Sequence, residues 1–427
     1  MKNLITLTSL VILLCGSAQG QTFNSGSTGA DGAFTVSIAI LPNGVVLAIG
    51  NMPVGTTHEC NFNLVGQCTV TLPLREPPNH VYNFTTVDID QFVTVKFAPN
   101  KANTPVFILA SGDVTINGII SVNGEPVGRG LIPPAGGPGG FSGGTMFGAQ
   151  AQTQLGGAGS GPGGGNGGRT AQAPGGQGLF GPSQVGFLFG GFVYGNPELQ
   201  PLIGGSGGGG GAILIAASGT INLAGSDGRA AIAASGGLAV SDFSAGGGSG
   251  GAIRLVASIL KGSRGIRADG GSFISGGNDG RIRIDLTTAN QYVGQAIPSP
   301  TINSPGEPIV LFPPLMPTLR ILSIGGFPLP AQPTAAANTS DIALPAQSLV
   351  PGFYPVNVEL EATNVPSGTM AKVLVGPQYG AGDRIISPPV ALTGSVGQPK
   401  RATVQVNLPP SGVGIISALI DSVVPEP

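Results

Sequence analysis

The chain has 427 residues, and 18 Lys and Arg set against 20 Asp and Glu leave a net charge of −2. That balance lacks the basic stripe on which nucleic-acid binding depends, so no nucleic acid is expected as a partner. With 75 glycines, 38 prolines and only 9% charged residues, long helices are disfavoured along most of the chain, while abundant Ile, Val, Leu and Ala argue against disorder.

Residues 1–20 read as an export signal peptide. Lys2 supplies the positive start, residues 4–14 form a short apolar run, and Gly16, Ser17, Ala18 and Gly20 are the small residues of a cleavage site before Gln21. Leu14 precedes Cys15, where lipid attachment wants a small residue. The run is too short to span a bilayer, and no later apolar stretch is long enough. The mature chain is therefore expected outside the cell or at its surface, with the periplasm as the alternative, and without a transmembrane segment. Export leaves Cys60 and Cys68, a short loop apart. An oxidising compartment permits a disulfide between them; two free thiols are the alternative. Only His58 lies close enough in sequence to join them, too few ligands for a zinc site. No metal and no cofactor is expected.

Residues 21–125 alternate apolar and polar positions at 34–40, 81–89, 92–97 and 106–110. Period-two alternation with β-branched residues predicts half-buried strands. Residues 126–211 are dominated by glycine; after Arg129 their charged residues are Arg169 and Glu198. A globular core cannot be built from such a segment. It is expected as a long flexible insertion, with a packed glycine layer as the alternative, because glycine permits close backbone approach. Phe180, Phe187, Phe189, Phe192 and Tyr194 near its end would dock it or form a sticky patch.

Residues 212–290 carry an internal repeat. Gly211-Ala212-Ile213-Leu214-Ile215-Ala216-Ala217 recurs as Gly251-Ala252-Ile253-Arg254-Leu255-Val256-Ala257, and more weakly as Gly280-Arg281-Ile282-Arg283-Ile284-Asp285-Leu286. Short strands between Gly, Ser, Asn and Asp corners cannot bury a face singly; stacked, they share one interior. The alignment predicts inward rows Ile213/Ile253/Ile282 and Ile215/Leu255/Ile284, with Leu214, Arg254 and Arg283 facing out. Frequent proline at 291–317 predicts a linker. Residues 318–427 alternate again at 319–324, 356–362, 371–375 and 402–408, the pattern of a small Ig-like β-sandwich.

The run Ser111-Gly112-Asp113-Val114-Thr115-Ile116-Asn117-Gly118, followed by Ile119-Ile120-Ser121-Val122, resembles a coil of the right-handed parallel β-helices typified by pectin lyases. So do the repeats at 250–257 and 280–285. The layout is similar to a group of uncharacterised, glycine-rich exported bacterial proteins. Its marks are Phe23-Asn24-Ser25-Gly26-Ser27-Thr28-Gly29-Ala30-Asp31-Gly32-Ala33-Phe34, the Ala102-Asn103-Thr104-Pro105 lead-in to a strand, and the glycine-rich insertion. The resemblance covers most of residues 21–290 and implies a fold and an extracellular setting, not a reaction. The expected fold class is all-β. A right-handed parallel β-helix body, 21–125 and 212–290, carries the long glycine-rich insertion, and an Ig-like sandwich follows.

Polysaccharide-cleaving β-helix enzymes need paired carboxylates, or carboxylate-bound Ca²⁺ with a nearby base. Asp113, Asp227, Asp242, Asp269, Asp279 and Asp285 form no Asp-Asp or Asp-x-Asp pair, and a Gly-His-Gly motif is missing. No catalytic residue is therefore assigned; His58 and His80 read as turn or surface residues. Arg254, Arg283 and Asp285, near Lys261, Arg264, Arg267 and Arg281, are the main charge concentration. They offer a grip for an acidic glycan, or a solvated face that blunts sheet edges. The function expected is that of a non-enzymatic, secreted or cell-surface structural or adhesive protein. The alternatives are a lyase or hydrolase of acidic polysaccharide and a self-assembling matrix protein. The expected partners are extracellular polysaccharide or further copies of the chain. Convergence of Asp242, Asp269, Asp279 and Asp285 beside a cation would favour the enzyme.

Overall fold

The computed structural model describes residues 23–42, 45–61, 67–126, 133–144, 207–226, 228–238, 247–271, 277–303, 309–312, 317–330, 333, 341–344, 354–377, 385–408 and 414–422. The export-signal segment, Asp227 and Asp242 lie outside them. Among the described residues every regular element is a strand, and no helix is long and apolar enough to cross a membrane.

The first unit is built from a ten-stranded and a seven-stranded sheet, between which the chain alternates. The first pass runs through Phe34–Ile40 to Gln67–Pro73, and the second through Val81–Phe84 and Val87–Ile89 to Val93–Ala98. The third uses Val106–Ala110, Val114–Ile116 and Ile119–Ser121, the fourth Ala212–Leu223 and Ala230–Ala233. The fifth uses Ala252–Gly262 and Gly265–Arg267, and the sixth Arg281–Tyr292 and Ala296–Ile297. Successive passes pair in parallel in both sheets. Antiparallel hairpins cover the start: Val46–Ile49 pairs with Phe34–Ile40, and Thr57–Asn61 with Gln67–Pro73.

The register follows the alternation. Ile213 pairs with Ile253 and Ile253 with Ile282; Ile215 pairs with Leu255 and Leu255 with Ile284. Val106 and Ile108 extend these rows backwards. All of these side chains are buried in one core, where each contributes about 1.5–3 kcal/mol relative to exposure. Aromatic rings fill its first passes: Phe84 stacks on Phe34 at 5.3 Å and on Tyr82 at 5.5 Å between centroids. The Tyr82 hydroxyl donates to the Pro73 carbonyl, and burial pushes this phenol up to about 12.

The segment expected to be a linker begins inside this unit. Arg281–Tyr292 runs past residue 290, Ala296–Ile297 joins the smaller sheet, and Thr301–Asn303 pairs in parallel with Arg281–Tyr292. Pro298 and Pro300 occupy the corner between these strands, where a missing N–H costs no ladder bond, so proline there marks a corner and not a linker.

The second unit consists of two antiparallel sheets. One joins Thr318–Ile324, Phe327–Pro328, Tyr354–Thr363 and Lys400–Leu408; the other joins Met370–Pro377, Ile385–Ile386, Val390–Ala391 and Gly414–Ser422. Val356, Val358, Leu360, Val404 and Val406 of the first meet Ala371, Val373 and Val375 of the second in one core. The expected alternation places them there.

Candidate functional site

Arg254 and Arg283 are cross-strand neighbours on the outer face of the larger sheet, with Asp285 one outward position along. Asp285 accepts from Arg254 Nε at 2.8 Å and from Arg283 Nε at 2.9 and 3.1 Å. The expectation that Arg254 faces solvent fails: Arg254 is 4% exposed and Asp285 0%. Residues 309–312 return over the face, and the Arg254 guanidinium donates to Val310 O at 3.0 Å and to Leu311 O at 3.3 Å. Below lies a second apolar cluster of Leu109, Leu214, Ala216 and Val256, against which Phe23, Ile309 and Leu311 pack. At Arg254 an outward position is thus a position under a cover. Burial lowers the Arg254 pKa, against the opposing pull of Asp285.

Aromatic contacts hold the cover. Phe312 meets Phe107 at 5.5 Å, and Phe107 meets His80 at 5.4 Å, both edge-on. Burial holds the His80 imidazole below its ordinary pKa. At the other margin Ser25 Oγ donates to Ala110 O at 2.7 Å and Ser27 Oγ to Phe84 O at 2.7 Å. The 23–34 motif is therefore a clip across the corners of successive passes.

Of the other cations, Arg281 and Lys261 lie on the same larger sheet at outward positions, whereas Arg264 and Arg267 do not join this face. Arg264 is buried and donates to Asn117 O and Gly118 O, and at 3.1 Å to Arg229 O. Arg267 lies on the smaller sheet and pairs with Asp269 at 3.3 Å. Asp269 also accepts from Ser235 Oγ at 2.5 Å, Asp279 from the Gly270 amide at 3.1 Å, and Asp113 from the Thr220 amide at 2.7 Å. Among the described residues no cluster of three or more His, Cys, Asp and Glu is placed to hold a metal ion. Cys60 and Cys68 sit opposite each other on the antiparallel hairpin and form a disulfide with an S–S distance of 2.00 Å.

The glycine segments depart furthest from expectation. Residues 133–144 and 207–211, part of the expected flexible insertion, pack against the passes. Residues 127–132 and 145–206, with Phe180, Phe187, Phe189, Phe192 and Tyr194, lie outside the described residues. Gly208 donates to Glu125 O at 2.9 Å, Gly209 to Phe141 O at 3.0 Å, Gly210 to Ser249 O at 2.8 Å and Gly211 to Val122 O at 2.7 Å. Gly137 and Gly237 donate in turn to the carbonyls of Gly209 and Gly208. One segment thus bonds to 122–125, 133–144, 234–237 and 247–251 at once, whereas a strand in a sheet has two neighbours. The order needs no apolar side chains, because neighbouring backbone satisfies these buried amides and carbonyls. A signal existed in the sequence: glycine clusters at 207–211, 247–251 and 277–280 each stand directly before a repeat strand.

The second unit carries its own covered carboxylate. Glu361 is flanked by Arg320 and Arg401, with N–O distances of 2.5 and 2.7 Å. Hydrogen bonds first from Arg320 and then from Arg401 hold its pKa below the usual carboxylate range. Folded Glu361 binds a proton less readily than unfolded Glu361. The contribution to stability is therefore full above the unfolded value of about 4.3 and fades as the pH falls from there through the folded value. Denaturant titrations of wild type and Glu361→Gln across that acid window are expected to show the steeper loss in wild type. Parallel pH dependences would refute the assignment.

No protein-family model, no curated protein and no solved structure matches the chain.

Proposed function

We propose that the chain is a non-enzymatic, exported structural or adhesive protein, with a right-handed parallel β-helix as its body and an Ig-like sandwich as a spacer or docking module. The parallel register of successive passes supports the first fold assignment, and the two antiparallel sheets around one core support the second. The observation that carries the functional reading is the use made of the charged groups. Asp285 engages Arg254 and Arg283; Asp31 engages Arg75 and the Asn83 amide; Asp113 and Asp279 engage backbone amides. These carboxylates tie the body together, whereas a cleaving site aims its acid and base at a substrate. The partner in this reading is an extracellular polysaccharide.

Exposed apolar residues favour self-association as a second reading. Several lie at the two ends of the body: Ile40 is 70% exposed and Val54 99% at the leading end, and Ile302 47% on the last strand. Incubation of the secreted chain with acidic polysaccharides, reading retention and unsaturated products together, tests the proposal. Retention without product is the expected result. Product formation overturns the non-enzymatic assignment. Concentration-dependent assembly without retention would transfer support to the second reading.

A further inference from the structure

The amide directions in the glycine segments repeat every three residues. Gly208 and Gly211 both donate to segment 122–125, at Glu125 and Val122, while Gly209 and Gly210 donate to two other segments. Gly248 and Gly251 both donate to 234–237, at Gly237 and Ala234, while Gly250 donates to Asn278. Gly277 and Gly280 both donate to 268–271, at Gly271 and Ala268. A β-strand alternates between two sides, a period of two. A polyproline II helix has three residues per turn and no internal hydrogen bonds, so its successive amides point about 120° apart.

Space provides an independent observation. A Cβ on Gly237 would stand 1.8 Å from Glu125 O, on Gly248 2.0 Å from Gly208 O, on Gly251 1.9 Å from Gly211 O, and on Gly277 1.8 Å from Gly248 O. None of these four glycines has a left-handed φ. Glycine is required there by the approach of neighbouring backbone, not by backbone conformation. In each pair the returning segment runs antiparallel to the outgoing one, and each pair bonds to the pair of the next pass: Gly237 to Gly208, Gly271 to Gly248, Gly210 to Ser249 and Gly250 to Asn278.

We propose that the described glycine segments of the third, fourth and fifth passes form a polyglycine II-type bundle, a third wall of the body made almost wholly of backbone. It is a conformational device. Each of these three passes leaves the smaller sheet and returns to the larger one through a three-fold hydrogen-bonded pair, and that pair fixes the spacing of the next. The wall stands independently of whether the protein meets a glycan.

A matched pair of substitutions tests the requirement for space. Gly248→Ala places a methyl group against backbone, whereas Gly265→Ala, whose nearest neighbour would be 3.4 Å away, makes an ordinary contact. Gly265→Ala is expected to melt with the wild type, and Gly248→Ala to melt roughly 10 °C lower or to fail to fold. Equal melting of Gly248→Ala and wild type, or equal damage in both variants, overturns the proposal. Should Gly248→Ala not fold, through-hydrogen-bond couplings in glycine-labelled wild type decide. They are expected from the Gly208, Gly209 and Gly210 amides to the Glu125, Phe141 and Ser249 carbonyls. Couplings confined to two neighbouring segments would make 207–211 an ordinary strand and sink the bundle.

Discussion

Asp285→Ala is expected to destabilise the parallel body by about 3–5 kcal/mol, the range for breaking a buried ion pair by removing one partner. Asp285 is 0% exposed and is the carboxylate that both Arg254 and Arg283 engage. Without it, the buried Arg254 guanidinium retains, among the described residues, the carbonyls of Val310 and Leu311. A carbonyl dipole offsets the desolvation of a cation far less well than a carboxylate does. The cover at 309–312 should loosen with the same substitution, because its carbonyls are bound to that guanidinium. The double variant Arg254→Met/Asp285→Leu removes both charges and is expected to recover most of the loss, since apolar replacement of a buried pair is often close to neutral. Urea titrations of the three proteins check this. A loss below about 1 kcal/mol in Asp285→Ala, the value of an exposed pair, would place the cluster in solvent and contradict the cover.

Phe84→Ala should cost a comparable amount, about 3–5 kcal/mol, as a large-to-small change in a packed core. Phe84 is fully buried and stacks between Phe34 of the first pass and Tyr82 beside it. Its removal leaves a cavity bordered by two rings that are themselves pinned: Phe34 by parallel pairing to Val87 and Tyr82 by its bond to Pro73. Such walls collapse poorly, which places the cost in the upper part of the range. The damage should be greatest at the leading end of the body. Limited proteolysis is the second readout, with early cleavage expected near the first two passes. Wild-type stability in Phe84→Ala would show that the rings do not share one interior.

The strand rows were legible because alternation carries direct information in a parallel stack. Ile213, Ile253 and Ile282 occupy equivalent positions after equivalent glycines, and pairing puts them in one row. Alternation also told that Arg254 leaves the interior. It could not tell that residues 309–312, more than fifty positions later, come back over it. A period of two distinguishes two faces of a sheet, and around Arg254 both faces of this one are covered. Pro298 and Pro300 carried a true local signal, a break in strand pairing, but a single corner between strands produces the same break as a linker.

The glycine wall was illegible for a different reason. Hydrophobic periodicity is a property of side chains, and glycine has none. Low apolar content therefore suggested a flexible insertion at 133–144 and 207–211, where the buried groups are amides and carbonyls that satisfy one another. What remained in the sequence was position: glycine clusters recurring just before each repeat strand. The charged site was legible only as a composition of residues. Arg254, Arg283 and Asp285 do come together, but as a tie beneath a cover, and Arg264 and Arg267 point to other parts of the body.

The most direct test of a body closed by backbone is amide hydrogen exchange, residue by residue, on the folded chain. The amides of Gly208, Gly209, Gly210, Gly211, Gly248, Gly250 and Gly251 are predicted to exchange as slowly as those of Ile213 and Ile253, opening only when the body unfolds as a whole. Exchange of those glycines at the rate of an unfolded peptide, with Ile213 and Ile253 still protected, would contradict the account.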